Sequence, residues 1–581
     1  MKNVKNLFGM AVMATALVGC SSNDNLNPNA NDNAGKAGTA YAKFTIQLPT
    51  VSGTRADDDP KPGTPEFNGG TADEYAVKDA QLVIFQKSGD SEGDYTFVET
   101  VNIGNLEPWS DQTPANEGVT RYANITAQLN GVSLDKTGNE YFALVILNNG
   151  GQSKVTLPTS GTYSAWNVAN KVQGAAAFLN SDDGFYMANA PLYSTGEPTT
   201  LVPIKGVYST KAEAQTNPAT TVYVERGMAK VTVSGSGSDS DFKIIDPSST
   251  YNNDKVKINN WTLDVLNKST FPVHVTTGLK KNFDAIWTTS RFVATGSTPQ
   301  RVYWGVDPNY DKSTLTSVEE CQKEFYIVDN DGKTYNGDPS STFTWSANTT
   351  PLYCLENTFN LANMKQGQTT RVVFKATYTP HNLTGTDKTF FMIGNNTQIW
   401  TKDALVAQIT SKAKEMRKST AVVVTINTDA PLLKGGSHLL SSADVTIKDG
   451  SVDLTETFDY ATLNTKLGLN NTEMDVNGKP KVGIKTYENG ECYYIARIKH
   501  FNELTPWESG KVYGTDNATF LGRYGVLRNN WYNLEVTKFS APGYPDVPVV
   551  NPETLDDEDT KYINVEVKIL DWAKRTQQIE L

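Results

Sequence analysis

The chain has 581 residues, 38% hydrophobic and 20% charged, which allows about two to four domains with sizeable cores. Its net charge of −12 argues against a nucleic-acid partner, because neutralising phosphates needs a basic face. Tyr and Phe, with 26 and 22 copies, supply most of the aromatic content and favour strands.

The chain opens with Lys2 and Lys5, an apolar run from Leu7 to Val18, and Gly19-Cys20. A basic end, a short apolar core and a small residue before a cut make a signal peptide over residues 1–19, too short to span a membrane as a helix. Leu17-Val18-Gly19-Cys20 resembles the lipobox of bacterial lipoproteins. That resemblance implies cleavage between Gly19 and Cys20 and acylation of Cys20, for example with palmitate. No later apolar stretch is long enough to cross a bilayer, so the lipid would be the anchor. Cys321, Cys354 and Cys492 are widely spaced, with no CxxC metal pattern and no disulfide framework. A Cys321–Cys354 bridge is open in an oxidising compartment, while Cys354 and Cys492 also read as small buried hydrophobes.

Residues 21–39 are a polar tether, and Tyr41–Pro49 follows. There Ala42, Phe44, Ile46 and Leu48 alternate with polar residues, the pattern of a half-buried strand. A loop by composition, residues 51–63, carries Arg55, the first Arg of the chain, before Ala56. Short apolar runs at 81–85, 141–147 and 221–224 predict strands of a β-sandwich, with a helical excursion over 163–179. Residues 234–240 read as a linker, and the strand before them, 228–233, as leading into a second domain. That domain carries strands at 256–265, 371–378 and 421–426 and the clearest helix, 401–417. Prolines 542, 545, 548 and 552 then make a stiff spacer. In the last strand Ile563, Val565, Val567 and Ile569 alternate with polar residues and lead to Trp572. Such a strand either reaches away from its domain or folds back as its final strand, and the pattern leaves both open. The fold class expected is mainly β, two tandem β-sandwich domains with a few short helices.

Chemistry is hard to place. His274, His381, His438 and His500 have no nucleophile elbow or HExxH helix nearby, and His500 reads as packed or surface. Asp329-Asn-Asp-Gly332 lacks calcium-loop spacing and reads as a hairpin turn; Asp57–Asp59 reads as a solvated loop. Trp261, Trp287, Trp304, Trp400, Trp507 and Trp531 are scattered, which suits packing better than a sugar platform. The expectation is no catalytic set, no metal and no cofactor.

Three stretches carry a family resemblance: Cys492-Tyr-Tyr-Ile-Ala-Arg-Ile-Lys-His-Phe501, Tyr524-Gly-Val-Leu-Arg-Asn-Asn-Trp-Tyr-Asn-Leu-Glu-Val536 and Val222-Tyr-Val-Glu-Arg226 with Met228–Val231. With the lipobox, the early strand and the Arg-bearing loop, the chain resembles the type V pilus fimbrilins, and most of all the major subunits of short fimbriae. The resemblance implies transthyretin-like sandwiches and a lipoprotein precursor carried to the outer membrane. An Arg-specific protease would then cut between Arg55 and Ala56 and release residues 20–55 with the first strand, Ala42, Phe44, Ile46 and Leu48 included. The C-terminal strand of another copy, with Ile563, Val565, Val567, Ile569 and Trp572, would fill the slot. This gives an N-terminal domain over 56–234, a C-terminal domain over 235–540 and a spacer with donor strand over 541–581. The implied partners are further copies head to tail and accessory tip and anchor subunits, and the implied place is an extracellular adhesive fimbrium. A tip or anchor role, or a surface glycan-binding lipoprotein, is the alternative.

Overall fold

The computed structural model describes most of the chain between residues 39 and 570; the longest stretches outside it are 1–38, 50–70, 501–522 and 571–581. Gly19, Cys20, Arg55, Ala56, Trp507 and Trp572 therefore lie outside the described residues, and so do the anchor and cleavage expectations that rest on them.

The chain is mainly β. In the N-terminal half β1 (Ala40–Pro49), β2 (Ala80–Gln86), β3 (Thr96–Asn102), β4 (Val119–Leu129), β5 (Tyr141–Leu147), β6 (Met187–Asn189) and β7 (Thr220–Arg226) pair in the order β3-β2-β5-β6-β7-β1-β4. Strand β7 is shared. Its first part, Thr220–Tyr223, runs parallel to β1, and Val224–Arg226 runs antiparallel to β6. Every residue of β5 is buried, as an unbroken apolar run demands, because such a strand needs cover on both faces. The core joins Phe44 and Ile46 to Leu82, Ile84, Leu144 and Val222.

The helix expected over 163–179 is shorter, Tyr163–Ala169, with Thr162 as its cap. It cannot continue through Gly174, whose φ of 74° leaves the helical region, and Leu179–Asn180 is already strand.

The C-terminal half is built from β8 (Met228–Ser234), β9 (Lys255–Asp264), β10 (Leu352–Leu355), β11 (Arg371–Thr379), β12 (Glu491–Arg497), β13 (Trp531–Phe539) and β14 (Ile563–Leu570). One sheet runs β10-β8-β13-β14; a second joins a short strand, Phe242–Lys243, to β9, β11 and β12. Val231, Tyr532 and Leu534 from the first meet Trp261, Phe374 and Tyr494 from the second in one core. Strand β8 was expected before a boundary at 234. It pairs with β10 and β13; Met228 still packs in the first core and Ala229 in the second, so the cores change over just past Gly227. A Cβ there would lie 2.7 Å from a Phe178 ring carbon, so the turn is made where only hydrogen fits.

Between β11 and β12 sits a smaller body with its own core. Its helix, Lys402–Arg417, is the one the sequence predicts: Thr401 accepts a hydrogen bond from the Ala404 amide, and Leu405, Ile409 and Ala413 are buried. They pack on Val422, Val424 and Ile447. Trp287 and Trp304 fill a fourth, aromatic core, and Trp261 is equally buried, so these three are packing residues. Cys321, Cys354 and Cys492 are free and buried, and burial pushes each thiol up to about 12. Asp329–Gly332 turns a hairpin in which Val328 pairs with Tyr335.

Candidate functional site: the first strand, the last strand and the joint between halves

Strand β1 lies inside its sheet, not at an edge. It pairs antiparallel with β4 along its whole length and parallel with β7 over Phe44–Gln47. Ala40, Ala42, Phe44, Ile46 and Leu48 are 0–1% exposed, while Tyr41, Lys43, Thr45 and Gln47 are partly exposed. The alternation read from the sequence is thus a one-faced strand. On the outer face Thr45 donates to Asn124 at 2.7 Å and Lys43 to the Gln215 carbonyl at 3.1 Å. Taking β1 out would uncover both neighbours' backbone groups and the core floor beneath five side chains.

Strand β14 is the last strand of its sheet. It pairs antiparallel with β13, with Ile569 opposite Tyr532, Val567 opposite Leu534, Val565 opposite Val536 and Ile563 opposite Phe539. Of the two courses open to it, the tail here folds back on its own half. The proline spacer runs along the same half before it. Tyr544 pairs with Tyr493, Tyr487 donates to the Gly543 carbonyl at 2.9 Å, and the Arg371 guanidinium donates to the Pro548 carbonyl at 2.5 Å. Thr369 reaches Asp556 at 3.2 Å. The spacer is held to the body as far as Asp556, and β14 follows as a single-sided edge strand.

The third feature joins residues from two stretches quoted above only for their resemblance, whose contacts the sequence did not give. Glu225 and Arg226, inside β7, are 2% and 1% exposed, and Arg528 and Asn529 are 2% and 0% exposed. The Glu225 carboxylate holds His274 Nδ1 at 2.8 Å and Arg301 at 3.0 Å. Burial alone would raise its pKa, but His274, Arg301 and Arg528 outweigh burial and hold it below the usual carboxylate range. Glu356 pairs with Arg528 at 3.3 Å. Arg226 donates to the Glu74 carbonyl at 2.7 Å and to Asn529 Oδ1 at 3.2 Å. The Glu74 carboxylate takes Lys230 at 2.7 Å and Tyr353 at 2.6 Å; burial pushes it up, and those two donors bring it lower still. The two halves therefore meet across a buried, charged seam. A Glu-Arg pair at the end of an otherwise apolar strand was the available signal, since charges that interrupt a buried run need partners.

His500 is fully buried, its Nδ1 2.6 Å from the Tyr532 hydroxyl. Among the described residues no group of three or more His, Cys, Asp or Glu is placed to hold a metal, and no helix is long and apolar enough to cross a membrane.

Residues 485–578 match the family model described as major fimbrial subunit protein type IV, fimbrillin, C-terminal. The match takes in β12, β13, the spacer and β14. Comparison with curated proteins returns no match. Among solved structures the chain is similar to a fimbrilin from Porphyromonas gingivalis, at 10% identity and a TM-score of 0.36, with 93% of this chain and 99% of that one covered. It is also similar to a C-terminally truncated tip fimbrial protein from Porphyromonas gingivalis (10% identity, TM-score 0.26, 92% and 100% covered). A fimbrial assembly protein from Parabacteroides distasonis matches at 14% identity and a TM-score of 0.25, with 53% and 88% covered. The likeness to a fimbrillin thus rests on the C-terminal region, residues 485–578.

Proposed function

We propose that the chain is a fimbrial stalk subunit of two tandem transthyretin-like sandwiches that polymerises by strand exchange, with β1 as the occupant removed and β14 as the strand donated. The observation that carries the reading is the place of β1: an N-terminal strand, six residues before Arg55, buried in the middle of a sheet. A cut between Arg55 and Ala56 would detach it from everything C-terminal to it. The vacated slot has apolar positions at a period of two, and Ile563, Val565, Val567 and Ile569 repeat that period. At roughly 1.5–3 kcal/mol each their burial contributes on the order of 6–12 kcal/mol, an upper bound. A donated strand also restores hydrogen bonds on both sides, whereas β14 on its own sheet has one paired neighbour among the described residues. Unlike ends joined head to tail grow an open filament, not a ring.

In this reading the precursor is an outer-membrane lipoprotein acylated at Cys20. Its partners are copies of itself, accessory tip and anchor subunits and an Arg-specific protease, and the assembled filament supports adhesion. The test is to treat the purified precursor with an Arg-specific protease and follow it by electron microscopy and N-terminal sequencing. Filaments whose subunits begin at Ala56 are expected, and a protein lacking residues 562–581 should stay monomeric and folded. Filaments formed without those residues, or filaments that still begin at Cys20, would refute it.

A further inference from the structure

A groove away from both strands has a chemistry of its own. It encloses about 1000 Å³, at the large end for ligand clefts. Its floor is the outer face of β11 and β12, one wall is the hairpin around residues 330–333 with residues 343–345, and the other is Lys434, Gly435, Glu488 and Asn489 of the smaller body.

Two properties identify what it suits. The first is an aromatic ladder: Tyr335 against Phe343 at 5.0 Å, Phe343 against Trp345 at 5.6 Å, Trp345 against Tyr493 at 6.0 Å. Phe343 and Trp345 remain partly exposed, and both line the groove. The indole is locked: its N–H donates to the Gly332 carbonyl at 2.8 Å, and Gly332, at φ 63°, leaves no room for a side chain beside the ring. The second is charge. Each lining ammonium faces a carboxylate: Lys333 with Asp331 at 2.9 Å, Lys375 with Glu491 at 2.7 Å, Lys434 with Glu488 at 3.5 Å. Asp546 pairs with Lys479. Such a site has no unbalanced cation for a phosphate or an acidic peptide, and too much polarity for a purely apolar ligand. Aromatic faces beside alternating donors and acceptors complement a pyranose, which has an apolar C–H face and a rim of adjacent hydroxyls.

We propose that this groove binds a neutral oligosaccharide. It lies apart from β1 and β14, and the spacer enters its rim through Pro545 and Asp546, the latter paired with Lys479 of the smaller body. The probes are hexasaccharides of glucose, mannose, galactose and N-acetylglucosamine, titrated calorimetrically into the unprocessed full chain, with a sulfated hexasaccharide and an unstructured acidic peptide for comparison. At least one neutral hexasaccharide should bind with a dissociation constant of millimolar or below, little changed between low and high salt. Trp345→Ala should weaken it at least tenfold. Thr344→Trp, which fills the groove from an exposed position, should do the same without touching a core residue. A protein lacking residues 562–581 should bind as the parent does. Absence of binding by all four neutral sugars, binding unchanged in both variants, or binding confined to the acidic probes would overturn the proposal.

Discussion

Phe44→Ala tests the place of β1 most directly. Phe44 is fully buried, opposite Ile125 on one side and Thr220 on the other. Truncating a buried Phe costs about 3–5 kcal/mol, from lost burial and the cavity left behind. That cost falls on the unprocessed chain, in the sheet that holds β1. It is measured by hydrogen exchange of β4 and β7 amides, whose opening free energy should drop by that amount while β9 and β11 are unchanged. After cleavage between Arg55 and Ala56 the variant and the parent share one sequence, so the difference must vanish once the strand departs. The released segment should also leave the variant faster, by roughly 10² to 4 × 10³, since each 1.4 kcal/mol is tenfold. A deficit under 1 kcal/mol, or equal release from both proteins, would refute the view that β1 is held chiefly by its buried face.

Other outcomes follow from the seam and the cores. Burial raises Asp307 to about 7 from an ordinary 3.8, against the Thr358 and Asn309 amides that lower it, with nearby Glu356 pushing further up. The folded chain keeps this proton where the unfolded chain has lost it, so the contribution is complete below pH 3.8 and disappears as pH climbs to about 7. Urea midpoints at pH 5 and 7 should differ in that sense, and Asp307→Asn, though less stable, should lack this part of the difference. Asp264 and Arg371, 0% and 1% exposed, pair at 2.7 Å; Asp264→Ala strands a buried guanidinium and should lower stability by about 3–5 kcal/mol in denaturant titration. Gly227→Ala drives a methyl into Phe178, which stacks on Tyr186 at 4.4 Å, and should cost about 1–3 kcal/mol by the same measurement.

The sequence was legible where one face of an element is buried and the other is wet. Strand β1, the helix after Thr401 and the hairpin at Asp329 all carry local signals, namely a period of two, a cap with an apolar stripe, and turn residues between strand-like runs. What stayed hidden depends on partners remote in sequence. Glu225 looks like any surface acid until residues 274 and 301 are brought beside it. Trp345 shares a short Phe-Thr-Trp alternation with Phe343, but Tyr493, the ring on its other side, lies far away in sequence. The course of the tail was undetermined for a similar reason: alternation says that one face of β14 wants cover and is silent about whose.

The passage from β7 to β8 takes a single glycine, and that glycine is wedged against Phe178. With Arg226 on one side of it and Lys230 on the other both anchored on Glu74, the two halves have no slack between them. A pull applied to the ends of such a subunit meets no swivel in its middle. If subunits join end to end as proposed, the resulting shaft gains no hinge from the middle of its units.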